Sequence, residues 1–239
     1  GDAAGDAAVL RFAEGFAAQC GGGAAVERSP PGPTVAKIAN FDVETGKVLA
    51  AGSRERRFLA GNYCWHADSS YKAPPALASF LLGRVVPPAD FGAHTDFAST
   101  RAAFAALSAA EGRALERLVA VHDLTFSVGL AEPALARSGR WRRRMPPVRH
   151  PLVRRTSHGP ALYLGKHCSH IEGFEVEEGR RLVRRLNRHA TQPGFVYTHR
   201  WRPGDLVVID NFSCLHRGRP WLDGGTARRL LCLAKVSAG

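Results

Sequence analysis

The stretch "FVYTHRWRPGDLVVIDNFSCLHRGRPW", residues 195–221, decides how this chain folds. It contains two short runs rich in β-branched and aromatic residues, "GFVYTHRW" with the preceding glycine and "DLVVID". The second ends at an Asp210-Asn211 turn ahead of His216. Short runs of this kind, set off by Gly, Pro and Asp, read as strands joined by turns. "PALYLG" upstream and "RRLLCLAKV" downstream repeat the pattern, with one amphipathic helix, about Val176 to His189, interposed. Short strands with intervening helices and no regular βαβ alternation predict a mainly β fold with helices on a sandwich or jelly-roll core.

Working outward, "ALASFLLGRVVPP" is a nearly continuous apolar run stopped by two prolines, which suits a buried strand. Residues 101–123 carry Phe104, Leu107, Leu115, Leu118 and Val119 at helical spacing. "RSGRWRRRMPPVRHP" reads as a basic surface loop or lid. At the start, Val9, Phe12 and Phe16 predict a short helix, "GGGAAVERSPPGPT" a loop, and "TVAKIANFDVETGKVLAAG" β-like runs around a turn. "RRFLAGNYCWHAD" reads as a loop or short strand.

With 239 residues, 45% of them hydrophobic, the chain can bury a full core. We expect one domain over 1–239 with a helical and loop insertion at about 101–150. "GDAAGDAAV" reads as the middle of a longer chain, so the N-terminus is expected upstream. No run approaches the roughly 18 apolar residues of a membrane span. Cysteines at 20, 64, 168, 214 and 232 show no disulfide-framework spacing, which predicts a reducing compartment and the cytoplasm. There is no Walker A pattern and no G-x-G-x-x-G.

The net charge of +12 raises the question of an anionic partner. Arg180, Arg181, Arg184, Arg185 and Arg188 recur at helical spacing, as on a solvated helix face. No aromatic residues interleave with them to stack bases, which argues against nucleic acid. A homo-oligomer is compatible with the sequence, which leaves the subunit number open.

In "NYCWHADSSY", His66 and Asp68 leave the same face of an extended segment, and His216 is the best candidate for a third ligand from a distant strand. Two imidazoles and one carboxylate leave positions open on a metal, the arrangement of non-haem Fe(II) oxygenases. Two alternatives stand beside it. H-x-D pairs also occur in polar turns, and Cys64-x-His66 with Cys214-x-His216 could close a tetrahedral zinc site, although that leaves Asp68 unexplained.

Further stretches follow in a fixed order: "WHADSSYKAPPALASFLLGRVVPP", "HTDFASTRAAFAALS", "MPPVRHPLVRR", "ALYLGKHCSHIEGFEVEEGRRL" and "ARRLLCLAKV". Together, over roughly Phe58 to Val236, the chain resembles the TauD/TfdA family of Fe(II)- and 2-oxoglutarate-dependent dioxygenases, nearest in motif to the 2,4-dichlorophenoxyacetate branch. The resemblance implies a double-stranded β-helix, a cupin-like jelly roll. It implies His66, Asp68 and His216 as catalytic iron ligands, with 2-oxoglutarate and O2 as cosubstrates. Arg229, second of an Arg pair, and Thr95 would bind 2-oxoglutarate, and His167 would line the substrate pocket.

The implied reaction hydroxylates a C–H bond of a small organic molecule, with 2-oxoglutarate leaving as succinate and CO2. An aspartate at 68, rather than glycine or alanine, favours hydroxylation over halogenation. The rival readings are a nucleic-acid-directed oxidative demethylase and a non-catalytic jelly-roll binding module.

Three departures from the family pattern stand out. Gly92-Ala93-His94 precedes Thr95 where Gly-Gly-Asp is common, and "PWLDGGT" lengthens the turn before Arg229. Leu233 occupies the place of an arginine that clamps the substrate's anion in the taurine and 2,4-dichlorophenoxyacetate enzymes. Leu233 is therefore expected to line a pocket whose substrate is neutral or larger at that end, unless Lys72, Lys166 or Lys235 supplies the charge.

Overall fold

The structure is a computed structural model that describes residues 3–27, 35–137 and 140–238. Residues 28–34 of the expected N-terminal loop, and Ser138-Gly139 of the expected basic loop, lie outside that set.

The described strands are β1 (Ala25–Val26), β2 (Ala36–Ala39), β3 (Ala76–Val85), β4 (Thr95–Ser99), β5 (Val119–His122), β6 (Val148–Pro151), β7 (Val153–Thr156), β8 (Gly159–Leu162), β9 (Cys168–Ile171), β10 (Val196–His199), β11 (Leu206–Asp210), β12 (Cys214–Gly218) and β13 (Leu230–Ser237). The helices are α1 (Ala3–Cys20), α2 (Arg54–Ala60), α3 (Thr100–Ala105), α4 (Ala109–Leu115), α5 (Leu124–Ala131), α6 (Pro133–Arg137), α7 (Arg140–Arg144) and α8 (Val176–Ala190).

Two antiparallel sheets position the site. The larger runs β1-β13-β3-β11, with β2 also paired to β13, and the smaller runs β10-β4-β12. Period-two alternation sorts their side chains. On β13, Leu230, Cys232, Ala234 and Val236 pack with Val9, Ala13 and Ala17 of α1. Leu231 and Leu233 turn the other way, to Leu81, Trp201 and Ile209, with Phe97 of β4 and Cys214 of β12 against them. On the smaller sheet, Ala98 and Leu215 face a further layer that includes Leu152, Leu162, Val183 and Leu186. Each fully buried side chain of this size contributes about 1.5–3 kcal/mol, so the cluster around Leu231 and Leu233 is what holds the two sheets together.

Three local expectations change. Residues 54–60 form a helix rather than a loop or strand, because the Ser53 side chain caps it by accepting from the Arg56 amide. The helical pattern at 101–123 ends at Leu115. Val119–His122 is a strand held between β6 and β9, a place where β-branched Val119 and Val121 fit better than in a helix. From Arg140 on, the basic segment forms α7 and then β6 rather than a loop throughout.

His122, at the end of β5, is fully buried, and among the described residues neither ring nitrogen has a hydrogen-bond partner of ordinary geometry. It stacks on Tyr163 and meets His150 edge-on. Burial first, then the charges of His150 and Arg154, hold its pKa down to about 3. An unfolded histidine titrates near 6.5, so as pH falls the unfolded chain takes up this proton first. Stability is therefore lost from about pH 6.5 downward, completely below about 3, at roughly 1.4 kcal/mol per pH unit. In urea unfolding between pH 7 and 5, His122→Phe is expected to remove about that much of the slope. An unchanged slope would refute the assignment.

Candidate active site

Backbone pairing brings the triad together. His66 and His216 exchange both backbone hydrogen bonds, at 3.0 and 2.8 Å, as an isolated antiparallel bridge beside β12. Gly165 permits the close approach on the other side. Its φ of +104° suits glycine, and a Cβ there would lie 3.0 Å from the His66 Cα. The two imidazoles and the Asp68 carboxylate present ligand atoms all within 4.8 Å of one another. His66 Nε2 is 3.8 Å and His216 Nε2 is 3.7 Å from the carboxylate oxygens.

The tautomers suit a metal. His66 Nδ1 donates to the Cys64 carbonyl at 2.8 Å, which leaves the Nε2 lone pair facing the carboxylate. Burial, then the charges of His216 and Lys166, pull the His66 pKa well below its ordinary value, and burial lowers that of His216. Burial works to raise the Asp68 carboxyl, but His216, Lys235, His66 and the Ser79 hydroxyl outweigh it and hold it well below the usual carboxylate range. Two neutral imidazoles and an ionised carboxylate are a donor set that fits a divalent iron.

Asp68 is held by a network that sequence reading missed. Ser79 Oγ donates to Asp68 Oδ2 at 2.7 Å, Asn211 Nδ2 donates to Ser79 Oγ at 2.9 Å, and the Asp68 amide donates to Asn211 Oδ1 at 3.0 Å. The β3–β11 register, which pairs Ser79 with Ile209, produces this meeting. A polar residue inside the apolar run of β3 was the available signal.

No cysteine joins the cluster found among the described residues. Cys64 is exposed, and the Cys214 thiol donates to the Leu215 carbonyl at 3.3 Å, so neither sulfur is grouped with the two imidazoles.

Arg229 and Thr95 meet. Arg229 Nη2 donates to Thr95 Oγ1 at 3.2 Å, and Trp201 Nε1, unforeseen in the sequence, donates to the same oxygen at 2.9 Å. With two donors already on its oxygen, the Thr95 hydroxyl has its own proton to give. Arg229 Nε is shut off from solvent without a partner, and among the described residues no carboxylate lies within ion-pair distance of this guanidinium. Burial lowers its pKa to about 10, so it remains charged at neutral pH. A half-buried guanidinium with no carboxylate partner among the described residues, beside a free hydroxyl proton, fits an incoming carboxylate. Arg228, its neighbour in the chain, lies over the Phe41 ring instead.

A cavity of about 250 Å³ opens beside His66 and Asp68, walled by Phe58, Leu124 and Val128. Asn62 lines both this cavity and a narrow cleft at Arg229. His167 lines the cavity: Ser127 Oγ donates to the Leu124 carbonyl and accepts from His167 Nδ1 at 2.8 Å, so the lone pair is on Nε2. Leu233 is absent from the cavity wall and sits in the cluster between the sheets. The apolar wall comes instead from α2 and α5.

The "Taurine catabolism dioxygenase TauD, TfdA family" model matches residues 2–233. The chain is 41% identical over 231 residues to an alpha-ketoglutarate-dependent 2,4-dichlorophenoxyacetate dioxygenase of Burkholderia sp. (strain RASC), covering 93% of this chain and 74% of the relative. A protein of the same name from Cupriavidus pinatubonensis is 41% identical over 219 residues, covering 88% and 74%. Among solved structures, AAD-2 in complex with Mn(II) and N-oxalylglycine superposes with a TM-score of 0.78 at 38% identity, over 85% of this chain and 74% of that one.

Proposed function

The chain belongs to the TauD/TfdA family, and we propose that it hydroxylates a C–H bond of a small organic substrate, consuming 2-oxoglutarate and O2 at an Fe(II) held by His66, Asp68 and His216. The double-stranded β-helix of its relatives supplies the two sheets between which this site forms. When bound, Fe(II) supplies the redox chemistry that turns 2-oxoglutarate into succinate and CO2 and leaves one oxygen atom on the substrate.

The chain's residues do the rest. Arg229 and Thr95 bind the far carboxylate of 2-oxoglutarate, the first as a charged donor and the second through its free proton. Ser79 and Asn211 keep the Asp68 carboxylate aimed at the two imidazoles. Phe58, Leu124 and Val128 exclude water from the place where the substrate sits, while His167 Nε2 accepts a hydrogen bond. The observation that carries this reading is Arg229 beside Thr95 with no carboxylate partner among the described residues, because a largely enclosed guanidinium without an anion is matched in charge and geometry to an incoming carboxylate.

A nucleic-acid substrate is disfavoured by the basic helix itself. Glu177 pairs with Arg180 and Arg184, and Glu111 pairs with Arg185, so the stripe on α8 is partly neutralised. Among the described residues no helix is long and apolar enough to cross a membrane. Five free cysteines support a reducing compartment such as the cytoplasm.

The test is succinate release from 2-oxoglutarate by EDTA-stripped protein with and without Fe(II), alongside circular dichroism. Release that depends on Fe(II), with the fold unchanged by stripping, is expected. No Fe(II)-dependent succinate would overturn the reading in favour of a binding module, and loss of fold on stripping would point to a structural metal.

A further inference from the structure

The site needs something to orient its substrate, and β13 does not provide it. Leu233 is enclosed between the sheets, so no charge reaches the cavity from that position. Two of the three lysines that could substitute are already engaged. Lys72 Nζ lies 2.6 Å and Lys235 Nζ 3.4 Å from Oε2 of the buried Glu27, and Lys235 also donates to Ser69 Oγ at 3.0 Å. Arg57, at the cavity wall, pairs with Glu132.

Lys166 is different. It lines the cavity, and among the described residues no carboxylate lies within ion-pair distance of its Nζ. Among the described residues the ammonium's one hydrogen bond is to the Gly61 carbonyl, at 2.7 Å, which occupies one of three N–H donors. The backbone on either side is fixed. Lys166 donates its amide to the Trp65 carbonyl at 2.8 Å, Gly165 packs on His66, and His167 is held by Ser127. Burial lowers the ammonium's pKa from the ordinary lysine value, a cost that an anion alongside would reverse.

We propose that Lys166 is the anion anchor of the substrate cavity, so that this protein takes its small organic anion, such as a carboxylate with an apolar body, through a lysine beside His167 rather than through a residue of β13. The proposal rests on the dioxygenase reading and names its substrate class. The apolar surfaces of Phe58, Leu124 and Val128 hold the body of the substrate, and Lys166 holds its charge. An ion pair in this half-enclosed, mostly apolar space is stronger than one in water, so the lysine selects the anion over its neutral isostere.

The experiment uses protein loaded with Mn(II) and saturating 2-oxoglutarate, which occupies Arg229. Calorimetric titration compares phenylacetate and 3-phenylpropionate with their amides on wild type, Lys166→Met and Lys166→Arg. At least one acid is expected to bind wild type about 10- to 100-fold more tightly than its own amide, the range of a charge-assisted hydrogen bond. Lys166→Met should bring that ratio to within about twofold, and Lys166→Arg should restore most of it.

The proposal is overturned if neither acid outbinds its amide on wild type, or if Lys166→Met keeps the preference. Affinity for 2-oxoglutarate should be equal in wild type and Lys166→Met. If wild type fails to bind 2-oxoglutarate at all, the dioxygenase reading has failed rather than the anchor. Should Lys166→Met unfold early in a thermal melt, the acid-to-amide ratio on wild type and on Lys166→Arg still decides.

Discussion

Asp68→Ala yields a folded protein that binds Fe(II) at least about 1,000-fold more weakly and releases no succinate above background. Removing a partner behind a metal ligand typically costs about 10–100-fold in affinity or activity, and removing the ligand itself must cost more. Asp68 is the one anionic member of the triad, so its loss leaves two neutral imidazoles facing a dication. The fold should tolerate the change. The bridge between His66 and His216 is made by backbone groups, which alanine at 68 does not touch. We expect the metal-free melting midpoint to stay within about 4 °C of wild type, equivalent to roughly 1 kcal/mol at this chain length. Ser79→Ala supplies the graded comparison. It removes the 2.7 Å hydrogen bond that aims Asp68 and should cost about 10–100-fold in Fe(II) affinity. The measurement is Fe(II) titration under anaerobic conditions with succinate release in parallel. Wild-type Fe(II) affinity in Asp68→Ala would remove this residue from the metal site.

Strand positions were legible because a half-buried strand writes its faces into its sequence with a period of two. On β13 the alternation holds, with Leu230, Cys232, Ala234 and Val236 toward α1 and Leu231 and Leu233 turned away from it. What that alternation does not carry is how far along the strand the enclosed layer ends and the cavity begins. Leu233 falls inside the layer, and the cavity wall is built from α2 and α5. The first of these was unreadable as a helix because seven residues, four of them charged or polar Arg and Glu, give little periodicity, and its start depends on the Ser53 cap.

The supporting network around Asp68 was hidden for a related reason. Ser79, Asn211 and Trp201 become neighbours of Asp68 and Thr95 through sheet register and loop path, relations with no fixed spacing in the chain. Motif order singled out His66, Asp68 and His216, which the structure brings together; pairing across strands decides which groups surround them. Lys166 lay in plain view next to His167, but its importance depends on Glu27 having claimed Lys72 and Lys235, and that is a fact of three-dimensional charge pairing.

Arg229→Met is expected to separate binding from stability in opposite directions. In the wild-type protein without cosubstrate, the guanidinium is desolvated, its Nε has no partner, and its hydrogen bond from Nη2 to the neutral Thr95 hydroxyl cannot offset a buried charge. Methionine retains most of the aliphatic stem and needs no partner, so the variant without cosubstrate should be as stable as wild type or more stable by about 1 kcal/mol. Cosubstrate binding should move the other way. Arg229 offers the far carboxylate of 2-oxoglutarate a charged donor, and deleting one partner of such a pair costs about 3–5 kcal/mol where the remaining charge is buried. Affinity for 2-oxoglutarate should fall by at least about 100-fold, while Fe(II) affinity stays near wild type because the triad is untouched. The variant should also lose the rise in melting temperature that 2-oxoglutarate gives wild type, since a ligand stabilises only in proportion to its binding. Thermal melts with and without 2-oxoglutarate on Mn(II)-loaded protein read both effects at once. A variant that melts much earlier than wild type yet keeps its 2-oxoglutarate shift would mean that Arg229 supports the fold and another residue binds the cosubstrate.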